Sequence, residues 1–335
     1  MKKGILLVNL GTPNSPSVKD VRKYLREFLM DERVIDLPFI SRWLLINLII
    51  VPFRGPKSAK IYKELWTEKG SPLLYHGLEL KDNLQKLLGT DYHVSFGMRY
   101  QKPSIRLALD ELKSENVSEI KVIPLYPQYA SSSTGSTIEN VMDIVKKDLT
   151  IPPMSFVSSF CNLPTLINGF AENAEKYLSQ EKYDHIVFSY HGLPERHLKK
   201  GDGNNHCFGA SNCCRQLTEK NQLCYRAQCF ETTKHIVKAL NISEGDYTIA
   251  FQSRLETRAK DPWIKPYSDI VITDLAKNGA KKVLVFSPAF VTDCLETTIE
   301  IGVEYQELFE EYGGKKIQLV ESLNGNAEWL LPLCQ

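Results

Sequence analysis

Residues Gly4–Pro13 read GILLVNLGTP, and residues His185–Pro194 read HIVFSYHGLP. Each is a short apolar run closed by a turn with glycine and then proline two residues on, the pattern of a strand covered on both faces. Three similar runs follow the first (Tyr92–Phe96, Glu119–Leu125, Ser155–Ser158) and three follow the second (Tyr247–Gln252, Lys282–Phe286, Ile317–Val320), with polar stretches of helical period between them. This alternation predicts α/β sheets with mostly parallel strands. A second echo is longer: YPQYASSSTGST (Tyr126–Thr137) and SPAFVTDCLETT (Ser287–Thr298) each follow a Val/Ile-rich run, share proline then an aromatic two residues later, and end in Ser/Thr-Thr. The echoes point to two similar α/β lobes from a duplication, with shared turn chemistry as the alternative. Ligands of open parallel sheets bind beyond the carboxyl ends of the strands, so these four loops are expected to converge on one cleft.

At 335 residues the chain exceeds the usual size of one core, and two domains are expected. A hydrophobic share of 43% and a charged share of 24% describe a globular protein. Lys+Arg (41) nearly cancels Asp+Glu (40), so no global basic field exists for nucleic acid or anionic lipid. The start, MKKGILLVNLGTP, meets a Gly-Thr-Pro turn where a signal peptide would carry a small-residue cleavage site, which predicts a cytoplasmic protein. The longest apolar stretch, Leu37–Phe53, contains Arg42 and Asn47 and falls short of a bilayer span. It reads equally as a buried amphipathic helix or as one that dips into a membrane surface.

The chemistry-bearing residues lie at the ends of the runs. His191 directly follows a buried strand on a Gly/Pro loop, where it either braces the loop or accepts protons near neutral pH. TDCLETTIEIGVEY reads as a helix start capped by Thr292 or Asp293, with Glu296 and Glu300 at i and i+4 and Asp293 one turn earlier. Such a carboxylate column is either solvated or has a cation-related task; facing His191, it suits a divalent first-row metal. Arg99 and Tyr100 follow the second run, Arg54 and Lys57 follow the apolar stretch, and Gln252 and Ser253 end another run. Arginine grips carboxylates bidentately. His197 and His206 read as solvated.

Between Gly201 and Thr232 stand Cys207, Cys213, Cys214, Cys224 and Cys229, five of the eight cysteines. Without a secretion signal, such a cluster points to metal or redox chemistry, and four thiolates suffice for zinc or a [2Fe-2S] cluster. The spacing lacks the CxxC knuckles of common zinc sites. Cys161, Cys294 and Cys334 read as small core or surface residues, with the helical period turning Cys294 away from Glu296.

Taken in order, LLVNLGTP, GSPL, GMRY, YPQYASSSTGST, SYHGLPER, FQSR, PWIKPYSD, SPAFVTDCLET and ESLNGN closely resemble the ferrochelatase family, from Gly4 to about Asn326. The resemblance implies two Rossmann-like lobes, each a parallel four-stranded sheet flanked by helices, with a porphyrin cleft between them. It places the first lobe at 1–160 with an apolar lip at 37–53, and the second at 161–310 with an insertion at about 203–224. Residues 311–335 pack back toward the first. It implies insertion of Fe2+ into protoporphyrin IX to form protohaem with release of two protons. His191 and Glu296 then contact iron or accept protons, with Asp293 and Glu300 as the acidic path behind Glu296. Arg54, Arg99, Tyr100 and Ser253 line the pocket or meet the propionates, and the apolar lip contacts a membrane or a membrane-associated partner enzyme. Leu10 favours protoporphyrin, since relatives acting on coproporphyrin look to carry tyrosine there.

Some family members carry a [2Fe-2S] cluster on an internal insertion. In this chain Cys207, Cys213, Cys214 and Cys224 match that expectation, while Cys229 belongs to ordinary family sequence. The family includes monomers and homodimers. The competing readings are a coproporphyrin III ferrochelatase and, outside catalysis, a porphyrin or haem carrier or an iron-sulphur sensor on the same fold.

Overall fold

The computed structural model describes residues 2–210, 212–254 and 262–335. The chain divides into two compact units, one formed by Met1–Tyr126, Ala130–Ser158 and Asn324–Gln335, the other by Pro127–Tyr129 and Ser159–Leu323.

The first unit holds β1 (Lys3–Gly11), β2 (Tyr92–Tyr100), β3 (Ile120–Pro124) and β4 (Met154–Phe156), all parallel, in the order β2-β1-β3-β4. The second holds β5 (His185–His191), β6 (Tyr247–Gln252), β7 (Lys282–Phe286) and β8 (Lys316–Leu319), all parallel, in the order β6-β5-β7-β8. Each sheet thus has the spatial order second, first, third, fourth, which is the repeat anticipated from the GILLVNLGTP and HIVFSYHGLP echo. All eight expected runs form strands. Those central to each sheet are buried on both faces: Leu6, Val8 and Val122 pack with helix residues Ala108, Leu109 and Val141, and Val187, Val283 and Val285 with Ile272, Ile301 and Phe309.

The echoed glycines serve one purpose. Gly11 has φ +123°, and a Cβ there would fall 2.1 Å from the Tyr100 carbonyl oxygen; a Cβ at Gly192 would lie 2.7 Å from the Gln252 carbonyl oxygen. Each lets the first strand of its sheet turn away hard against the neighbouring strand. The longer echo also survives in three dimensions, because both copies lead into wide π-helical segments, Ser131–Gly135 and Glu296–Tyr305. Such i→i+5 turns are rare and concentrate at functional sites.

The apolar stretch forms an unbroken helical run through Phe39–Leu44, Leu45–Ile50 and Val51–Leu65. Its polar interruptions turn inward. Arg42 is buried and donates to the Ile35 and Leu37 carbonyls, while Asn47 accepts from Arg26 and donates to the Trp43 carbonyl. Phe39, Ile40, Trp43, Leu44, Leu48, Ile49 and Phe53 are exposed, so the run is not a buried amphipathic helix. Among the described residues no helix is long and apolar enough to cross a membrane.

Candidate active site

The carboxyl edge of the second sheet carries the chemistry. His191 is the last residue of β5 and pairs in register with Gln252, the last residue of β6. Its Nδ1 lies 2.7 Å from the Gly192 carbonyl oxygen. A carbonyl only accepts, so Nδ1 carries the proton and Nε2 keeps its lone pair in the neutral ring. Half-buried, with its ring centroid 6.4 Å from that of Phe290, the imidazole is held in one orientation.

Gln252 ties this histidine to the carboxylates. Buried to 1% exposure, it accepts from Ser189 Oγ (2.5 Å) and donates through Nε2 to the Glu296 carbonyl (2.8 Å) and to Glu300 (3.2 Å). The Ser189 hydroxyl pairs in turn with that of Ser268 at 2.8 Å. Glu300 also accepts from the Ser253 amide (2.7 Å), the Ser253 hydroxyl (2.5 Å) and the Tyr305 hydroxyl (3.1 Å). A carboxylate with this many donors is held at a fixed place. Burial first, and then the Glu300 charge, pushes the Tyr305 hydroxyl far above its ordinary pKa. Asp293 accepts from Thr297 Oγ1 (3.1 Å) and the Ser322 amide (3.3 Å). Asp293 and Glu300 are thus each fixed by donors from neighbouring residues.

Two local readings are corrected. The helical segment begins at Glu296, with Leu295 before it and no side-chain capping bond, so neither Thr292 nor Asp293 caps it; instead Thr297 Oγ1 accepts from the Cys294 amide at 2.9 Å. Cys294 consequently precedes the helix and is not subject to its period. Its thiol is buried, and burial first, then the Glu296 charge, raise its pKa well above the ordinary value.

The first unit gathers a different cluster. Arg99 Nη2 meets Asp31 at 2.7 Å and its Nε donates to Ser136 Oγ at 2.7 Å, while the Tyr100 hydroxyl donates to Asp31 at 2.8 Å and Ser136 Oγ does so at 2.5 Å. Tyr100 is fully buried and the Asp31 side chain is 4% exposed. The sequence reading missed Asp31, which lies 68 positions from Arg99 with no local motif to mark it. Arg99→Ala strands this carboxylate and is expected to cost about 3–5 kcal/mol in a denaturant titration. Arg54, by contrast, is exposed and has no intramolecular partner among the described residues. Leu10, at the end of β1, is half-buried.

In the cysteine loop the Sγ atoms of Cys213 and Cys214 stand 3.5 Å apart, both residues buried and packed on Ala227. The neighbouring Cys214 thiol, with the amides of Ala227 and Arg226 and the Arg226 charge, holds the Cys224 thiol low. Cys207 is pushed up, first by burial and then by Cys224 and Cys213. Four soft donors are thus neighbours, the right chemistry for zinc or iron. Among the described residues, however, no group of three or more His, Cys, Asp or Glu side chains converges as a metal site. Cys229 is fully buried in the helix Tyr225–Ala239, apart from the loop. His206 is not solvated; its Nε2 lies 3.0 Å from the Cys213 carbonyl oxygen.

Two four-stranded all-parallel sheets of the same strand order, flanked by helices, define a protein of the chelatase fold. A solved structure of SirB from Bacillus subtilis with Fe3+ has this fold, with a TM-score of 0.51 at 10% identity over 100% of this chain and 95% of that one. The ferrochelatase family model matches residues 2–335. Ferrochelatases of Legionella pneumophila (strain Philadelphia 1) and Coxiella burnetii (strain Dugway 5J108-111) are 44% and 43% identical over 98% of this chain, covering 97% and 91% of their own lengths. The chain belongs to the ferrochelatase family, and it is a porphyrin metal chelatase of haem synthesis.

Proposed function

We propose that this chain inserts Fe2+ into protoporphyrin IX in the cytoplasm, producing protohaem and two protons. The observation that carries the reading is His191 Nδ1 at 2.7 Å from the Gly192 carbonyl, which leaves Nε2 free, beside the register-paired Gln252 that bonds the Glu296 carbonyl and Glu300. As Fe2+ enters, two pyrrole N–H bonds break and both electron pairs stay on nitrogen to bind the metal. His191 Nε2 takes a proton, and Glu296, with Asp293 and Glu300 behind it, stabilises the cation and passes protons out. Arg54 meets a substrate propionate, supported by its exposure and by its lack of a partner among the described residues. Arg54→Ala is expected to raise the porphyrin KM about tenfold at unchanged kcat, the mark of lost uniform binding.

Leu10 supports protoporphyrin over coproporphyrin, because an apolar contact suits a vinyl group better than a carboxylate. Offered both porphyrins in parallel, the protein is expected to metallate protoporphyrin preferentially, and a preference for coproporphyrin III would reverse that choice. The exposed apolar run, bordered by Arg54 and Lys57, rests on a membrane surface from which an apolar porphyrin is delivered. All eight cysteines are free thiols, in keeping with a reducing compartment.

Cys207, Cys213, Cys214 and Cys224 hold a [2Fe-2S] cluster in this reading, a group that supplies one-electron redox chemistry when bound. Cys213→Ser is expected to bleach the visible absorption of the isolated protein. Colourless protein containing zinc would assign the loop to that metal instead.

A further inference from the structure

One helix, Tyr225–Ala239, braces the end of β5 that bears His191. The buried Tyr225 hydroxyl donates to the His191 carbonyl at 2.8 Å, and one residue earlier the Tyr190 hydroxyl meets Thr233 Oγ1 of the same helix at 2.8 Å. The cysteine loop ends where this helix starts. Cys224 is the residue before it, and its carbonyl accepts from the Gln228 amide at 3.0 Å. Gln228 then donates to the Gln222 carbonyl (2.5 Å) and accepts from the Tyr129 amide (2.6 Å) and from Ser159 Oγ (3.0 Å). With Cys213 and Cys214 packed on Ala227, the loop presses on the first helical turn from both sides of Tyr225.

We infer that Tyr225 is a positioning residue that couples the cysteine loop to the placement of His191. The inference rests on the reading of His191 as proton acceptor. The loop sets Cys224, the covalent neighbour of Tyr225, and the Tyr225 hydroxyl sets the backbone from which the imidazole projects.

The test uses the full chain as isolated. Tyr225→Phe keeps the ring and deletes the hydroxyl; kcat for Fe2+ insertion is expected to fall about tenfold at unchanged porphyrin KM, the scale of one lost hydrogen bond. In porphyrin-free protein, amide exchange across His191–Leu193 is expected to quicken. Tyr190→Phe deletes the neighbouring hydroxyl of the same seam and retains the parent kcat. Cys214→Ser lowers kcat in the parent and adds nothing on top of Tyr225→Phe, the non-additivity of residues acting through one link. Parent-like kcat and exchange in Tyr225→Phe, an equal loss in Tyr190→Phe, or a fully additive Cys214→Ser overturns the coupling. His191→Ala measured alongside separates the two failures. If it is inactive while Tyr225→Phe is unaffected, only the coupling falls; if it is active, the role of His191 falls.

Discussion

His191→Ala is expected to lower Fe2+ insertion by about 10²- to 10⁴-fold, the range a positioned proton acceptor supplies, with porphyrin binding retained. Among the described residues the side chain donates to the Gly192 carbonyl alone, and the fold holds this corner by bonds to the main chain: Gly192 N–H to the Gln252 carbonyl at 2.7 Å, and Tyr225 to the His191 carbonyl. Truncation therefore removes the base without dismantling the edge of the sheet. Porphyrin fluorescence titration and stopped-time haem assays on the same sample check both halves of the expectation. A variant that binds porphyrin and still turns over would remove His191 from the chemistry.

Glu296→Gln is expected to cost about 10²-fold or more in kcat, because the substitution keeps the shape and deletes the charge where cationic iron and released protons must be stabilised. Gln252 anchors the Glu296 main-chain carbonyl, not its carboxylate, so the backbone stays in place in the variant. The loss is thus expected in kcat with little change in thermal stability. An unchanged kcat would assign the column a structural task, as with the buried Asp31 pair in the first unit.

How much of this could be read from residue order follows from the range of the interactions. β1 to β8 were legible because each is a local apolar run with its own turn, and the His191 loop because it repeats the Gly11 turn. The i, i+4 spacing put Glu296 and Glu300 on one helical run, and Gln252 bonds the main-chain carbonyl of the first and the carboxylate of the second. The start of that helix was not legible, because an i→i+5 segment obeys no α-helical period, and the same shift hid the effect of the Glu296 charge on Cys294. Arg99 and Tyr100 read as free ligand-binding groups, yet both are committed to Asp31, a pairing across the fold that no local pattern encodes. Ser253, expected against the substrate, gives both its amide and its hydroxyl to Glu300. The Leu37–Phe53 run was ambiguous for a different reason: hydropathy reports how apolar a helix is, and here tertiary bonds to Arg42 and Asn47 decide which side faces out.

The central claim is that this chain metallates a porphyrin at the His191–Glu296 edge. Its most direct test is anaerobic Fe2+ insertion by the purified full chain, recording haem formation and proton release together for the parent and for His191→Ala. The account predicts haem formation with two protons released per turnover by the parent, and near-complete loss in the variant. Folded, porphyrin-binding parent protein that forms no haem would contradict it.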